Sequence, residues 1–158
     1  MHPVQLAMLI ANAVAFPLLW WLGNRWERLA VLLMVVGQVA SHALVEVTWR
    51  GMRAGVFSVD LICFLLLWAL AERAGRWWLV VVTGFQLVGV LAHLAPFFAQ
   101  ERLAWALITL LWVVWTLISI VCFFGVWEAW ADRRFAREGR YGSTLDDGRR
   151  ARPLSQVE

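Results

Sequence analysis

Between Gly37 and Val47 the chain reads GQVASHALVEV, an oily run that nonetheless holds Gln38, Ser41, His42 and Glu46. Gln38, His42 and Glu46 recur every four residues, so a helix would carry them up one face. Two more apolar runs hold ionisable side chains: Asp60 in GVFSVDLICF, and His93 in VVVTGFQLVGVLAHLAPFF. His93 follows Gln86 by seven residues, again one helix face. A buried Asp costs about 2.5–3.5 kcal/mol at the centre of a membrane helix, so such residues mark function by default.

Three chemistries fit these residue types. His42 and His93, on separate helices, could supply both axial ligands of a b-type haem. Gly37, Gly84 and Gly89 would let a flat cofactor approach the backbone. Alternatively His42, Asp60 and His93, with Glu46 as a fourth group, could hold a divalent metal such as zinc, iron or manganese. The third chemistry is proton movement, since Asp and His chains relay protons in membrane carriers. Against all three stands a structural role: polar side chains between membrane helices commonly act as glue, at about 0.6 kcal/mol per contact.

Other chemistries are excluded. All basic residues are arginine, and a retinal or pyridoxal Schiff base needs a lysine amine. There is no G-x-S-x-G elbow, no HExxH or ExxH, and no phosphate-binding glycine loop. Ser41 and His42 are neighbours and point to different faces, which argues against a serine protease. Asp60 has no second aspartate in the apolar runs for an aspartic dyad. Cys63 and Cys122 would lie about 15 Å apart in depth, beyond disulfide reach. A proton relay finds no ionisable residue deeper in the runs until Glu72 and Arg73.

The elements that position these residues follow from composition. The chain has 158 residues, 62% hydrophobic and 16% charged, with mean hydropathy +0.69. Soluble domains run nearer 45–50% apolar and about 25% charged. Five segments, 4–22, 29–48, 54–71, 77–98 and 103–127, approach the roughly 20 apolar residues a bilayer span requires. The reading is therefore all-α: a polytopic bundle of five transmembrane helices over residues 1–128, with very short loops and no internal repeat. Consecutive helices should run antiparallel and pack side by side. The first run lacks a basic leader and a cleavage site, so it reads as a span, kinked at Pro17, rather than a signal peptide.

Arginine placement gives orientation. Arg25, Arg28, Arg73 and Arg76, joined by Arg133, Arg134, Arg137 and Arg140, outnumber Arg50, Arg53 and Arg102 on the opposite side. This predicts the N-terminus outside and the C-terminus in the cytoplasm, and compactness suggests a bacterial inner membrane. Trp20, Trp21, Trp26, Trp77, Trp78, Trp127 and Trp130 should line the inner boundary, Trp49 and Trp105 the outer one. Residues 129–138 extend the last helix into the cytoplasm. Residues 139–158, polar and basic, should be disordered and could touch lipid headgroups. With its arginines at boundaries and in this tail, the chain is expected to have a lipid bilayer as partner and could also meet another membrane protein; nucleic acid is not expected.

In this frame His42, Asp60 and His93 share a depth, roughly 7–10 Å below the outer surface at about 1.5 Å per residue. Polar stripes repeat the pattern: Gln5 and Asn12 on the first helix, and Trp105, Thr109, Trp112, Thr116 and Ser119 on the fifth. The expected centre is a polar pocket opening outward, lined by Asn12, Gln38, Gln86 and Thr109. With no catalytic motif and no soluble domain, the leading functional reading is a non-catalytic accessory, assembly or scaffold component of a membrane complex. The alternatives are a haem- or metal-binding protein using His42 and His93, and a small transporter component.

Overall fold

The computed structural model describes residues 3–49, 52–94 and 104–150. Five helices follow in order: α1 Pro3–Leu22, α2 Arg25–Ala43, α3 Ala54–Ala74, α4 Trp77–Ala92 and α5 Ala104–Arg150. Among the described residues there is no strand, only an isolated bridge between Trp49 and Met52 in the α2–α3 connection. The described part of the chain is all-helical.

The boundaries have local causes. Helix α2 begins at Arg25, ahead of the expected 29, because Asn24 and Glu27 form a capping box. The Asn24 side chain accepts from Trp26 N at 2.7 Å, and Glu27 Oε2 accepts from Asn24 N at 2.9 Å. It stops at Ala43, short of the expected 48, as Val45, Val47 and Thr48 bring β-branched crowding and Leu44–Glu46 turn. Helix α3 closes on Gly75, whose φ of 62° is left-handed and suits a residue without Cβ. Pro17 lies inside α1 without ending it. Helix α4 ends at Ala92, and residues 95–98 of the predicted span lie outside the described residues.

Helix α5 departs most from expectation. It continues through the Gly139 stretch, read from sequence as disordered, to Arg150. A helix already nucleated adds one hydrogen bond per residue fixed, so it propagates through weak helix formers more easily than it starts. Residues 151–158 lie outside the described residues.

Packing does not follow chain order throughout. Helices α2, α3, α4 and α5 each pack on the next, but α1 lies mainly against α5 and touches α2 far less. The core centres on Trp78, fully buried among Leu19, Leu79, Val82 and Cys122. A Cβ on Gly125 would stand 2.8 Å from Cδ2 of Trp78, so glycine is what lets α5 approach that ring. Trp78 is thus a core residue rather than part of a boundary belt. Trp20, Trp21, Trp77, Trp127 and Trp130 are exposed, as is Trp49; the side chain of Trp105 lies outside the described residues.

Among the described residues, two helical stretches are long and apolar enough to cross a membrane, Ala54–Ala74 and Thr109–Ala136. Their apolar windows are only 28% and 33% buried, unlike the mostly buried core helix of a soluble domain. Helices α1 and α4 are apolar but shorter in their described lengths. Helix α2 carries Arg25, Glu27 and Arg28 within its first turn, which lowers its hydropathy.

One end of the bundle is tied by a charge cluster that sequence reading did not anticipate. Arg76, in the link between α3 and α4, meets Glu27 of α2 (Nε to Oε1, 3.0 Å) and Glu128 of α5 (Nη1 to Oε1, 3.0 Å). The same Nη1 pairs with Asp132. Glu27 is only 1% exposed. Burial alone would lower the Arg76 pKa, but hydrogen bonds to Asp132 and Glu128 and the charge of Glu27 outweigh it and hold the group above its ordinary value. Arg76 itself stays cationic at every physiological pH.

Removing the cation from a buried pair leaves an uncompensated charge, at about 3–5 kcal/mol. Arg76→Ala should therefore destabilise the bundle by about 3 kcal/mol or more, read as a lower thermal midpoint in detergent. Arg73→Ala, which removes an exposed arginine bonded to Ala69 O, should change little. Equal midpoints for the two variants would contradict the hub.

Candidate functional site

Asp60 lies in the second turn of α3, buried at 9% exposure and facing α4. Its Oδ2 stands 2.9 Å from His93 Nε2, and its Oδ1 accepts from Gln86 Nε2 at 3.3 Å. The seven-residue spacing of Gln86 and His93 thus does place both on one face, and that face meets Asp60. His93 is the C-terminal cap residue of α4, and the edge of Phe57 on α3 supports its ring at 6.4 Å between centroids.

Beside this triad is a small cavity of about 20 Å³, lined by Gln38, Asp60, Cys63 and Gln86 with apolar walls that include Met34 and Trp115. It has room for one water molecule among polar groups and not for an organic substrate. Cys63 was not among the expected lining residues. Gly37 could have signalled it: a Cβ there would come within 2.5 Å of Cys63 Sγ, so α3 fills the space left by the missing side chain.

The rest of the expected cluster stays apart. His42 is exposed on the last turn of α2, where its Nε2 lies 3.2 Å from Gln38 Nε2 of the same helix. Glu46 is exposed in the turn after α2 ends. Among the described residues no three of His, Cys, Asp and Glu gather where a metal ion could be held. The metal set of His42, Glu46, Asp60 and His93 is therefore not assembled; matched depth did not bring matched direction around the helix axis. Each histidine Nε2, the atom that would ligate haem iron, faces a partner, His42 with Gln38 and His93 with Asp60. Of the flanking glycines, the space beside Gly37 is taken by Cys63.

Two of the four residues expected to line a polar pocket do so, Gln38 and Gln86. Asn12 is half-buried, its Oδ1 enclosed and without a hydrogen-bond partner, and it does not line the cavity. Thr109 is exposed on α5. Thr116 and Ser119 bond back to carbonyls of their own helix, Trp112 O at 2.8 Å and Trp115 O at 2.9 Å. The side chain of Gln5 lies outside the described residues. A second hollow of about 380 Å³ is an open groove between α3 and α4, walled by Phe64, Trp68, Gly84 and Leu87. Its one carboxylate, Glu72, accepts from Trp68 Nε1 at 3.1 Å, so the groove lacks converging polar groups.

Electrostatically the triad is self-contained: one carboxylate, one imidazole and one amide, joined across two helices. Such pairs reveal themselves in double-mutant cycles. Asp60→Ala and His93→Ala should show a coupling of about 1–2 kcal/mol in thermal or denaturant unfolding. Asp60→Ala and His42→Ala should be additive within about 0.5 kcal/mol. Additivity in the first cycle, or strong coupling in the second, would refute the geometry.

No family model, no curated protein and no solved structure matches this chain.

Proposed function

We propose that the protein is a five-span integral membrane bundle acting without catalysis, as an accessory, assembly or scaffold component of a membrane complex. One observation carries this reading: its buried charged groups are turned on one another. Asp60 faces His93 and Gln86, and Glu27 faces Arg76. The cavity beside the triad is about 20 Å³, where substrate pockets run roughly 300–1,000 Å³. Among the described residues, Asp60, Gln86, His93, Glu27 and Arg76 are engaged in joining helices rather than converging on an open pocket.

The five-span arrangement finds support in outward faces that are apolar on every helix: Ile10, Val39, Ile62, Leu91 and Phe124 are all exposed. Soluble monomers rarely display contiguous patches larger than a few hundred Å², whereas lipid welcomes them. Arginines and exposed indoles collect at the Arg76 end, which in a bacterial inner membrane would be cytoplasmic by the positive-inside rule. The N-terminus then lies outside, and α5 carries its charged extension into the cytoplasm, where a partner can be met.

Two measurements test the reading. The protein purified in mild detergent should be colourless and free of bound metal, with His42→Ala and His93→Ala folding normally. A Soret band lost in both variants, or stoichiometric metal, would overturn it. Reporter fusions should place the two termini on opposite sides; the same side for both would rule out five spans.

A further inference from the structure

The cluster around Arg76 has a consequence for the arginines outside it. Glu27, Glu128 and Asp132 all converge on Arg76. Among the described residues at this end, Arg25, Arg28, Arg73 and Arg133 have no carboxylate partner. Two of them are held on carbonyls of another helix. Arg28 Nε of α2 donates to Trp20 O at 3.0 Å, and Arg133 Nη2 of α5 donates to Trp21 O at 2.6 Å. Consecutive carbonyls at the end of α1 thus bring together guanidinium groups from two other helices.

Each bond occupies one N–H of a group that has five. Both arginines are exposed, so the remaining donors face outward. Like charges held on consecutive carbonyls repel and need a counter-ion, and among the described residues no carboxylate pairs with either. The residues whose carbonyls they meet carry exposed indoles, Trp20 at 49% and Trp21 at 73%. Indoles of this kind sit at the headgroup level of a bilayer.

We propose that Arg28 and Arg133, fixed on the last carbonyls of α1, form a binding site for the phosphate of an anionic phospholipid. The inference rests on the membrane reading above. The fork of a guanidinium matches phosphate oxygens in pairs, and two forks from different helices grip one phosphate from two sides. A zwitterionic headgroup brings its own cation and leaves the excess positive charge unmet; a monoanionic headgroup neutralises it. The flanking indoles pack against the glycerol and upper acyl region of the same lipid.

The test uses the full chain in detergent micelles, titrated with phosphatidylglycerol, with phosphatidylcholine and with inorganic phosphate, and followed by native mass spectrometry. Phosphatidylglycerol should bind tightest. The double variant Arg28→Gln/Arg133→Gln should weaken it about thirty-fold, at roughly 1 kcal/mol per arginine near a lipid surface. Arg149→Gln/Arg150→Gln, which removes the same charge further along α5, should leave it unchanged. Equal weakening by the two double variants, or none by the first, overturns the site. Competition by inorganic phosphate as effective as the lipid also overturns it, since the site would then read a free anion. If the first variant unfolds, the wild-type melting point carries the test. It must rise with phosphatidylglycerol and not with phosphate, and no rise overturns the proposal. A chain released from bilayers by alkaline extraction sinks the membrane reading as well, whereas an inserted chain indifferent to phosphatidylglycerol sinks the lipid site alone.

Discussion

A carboxylate withdrawn from water as fully as Glu27 must be met by a cation, and much of the bundle is arranged around that demand. Arg76 meets it from the short link between α3 and α4. Because the link has no slack, satisfying Glu27 fixes where α4 starts. Two residues later Trp78 enters the core between Leu19 of α1 and the bare backbone of Gly125 on α5. The same guanidinium reaches Glu128, one turn beyond Gly125, and Asp132, one turn further. The register of α5 is thus pinned twice, by a ring against glycine and by carboxylates against arginine. Glu27 is itself held by the capping box that starts α2, so one ionic contact coordinates four helices.

The opposite end is joined by a different chemistry and more locally. Asp60, Gln86 and His93 tie α3 to α4, while α2 contributes Gln38 to the cavity wall and leaves His42 outside. Between the two ends the packing is almost wholly apolar. In lipid, apolar contact supplies little drive for helices to associate, because the tails are as oily as the side chains. Polar joints at the ends, together with close approaches such as α3 onto Gly37 and α5 onto Trp78, then carry the specificity of assembly.

How much of this could be read in the sequence depends on which coordinate is asked for. Rise along a helix is fixed at about 1.5 Å per residue, so the common depth of Asp60 and His93 was legible, and spacing alone put Gln86 and His93 on one face. Rotation about the axis between different helices was not. His42 shares that depth yet is exposed, on the last turn of α2, where it meets Gln38 of its own helix rather than Asp60. Glu27 falls between the predicted spans 4–22 and 29–48, although Asn24-x-x-Glu27 is a capping signature that moves it into a helix. No local pattern announces that Arg76, far along the chain, will bury it. The same holds for Trp78, where composition suggests a boundary and only the partner glycine on α5 reveals a core position.

The exclusive use of arginine follows from what these positions require. Arg76 serves three carboxylates from three directions, two of them through one nitrogen and the third through another. A lysine ammonium is a compact, strongly hydrated charge and would not spread its donors over so wide an angle. At the end of α1 the same property takes another form. Arg28 and Arg133 each give a hydrogen bond to a backbone carbonyl and keep further donors outside. Those carbonyls are the electronegative end of a helix dipole with few partners of its own, so capping and charge placement are achieved together. In a chain this oily, a basic residue at the boundary has to satisfy backbone, carboxylate and solvent at once, and a planar fork does so where a point charge cannot.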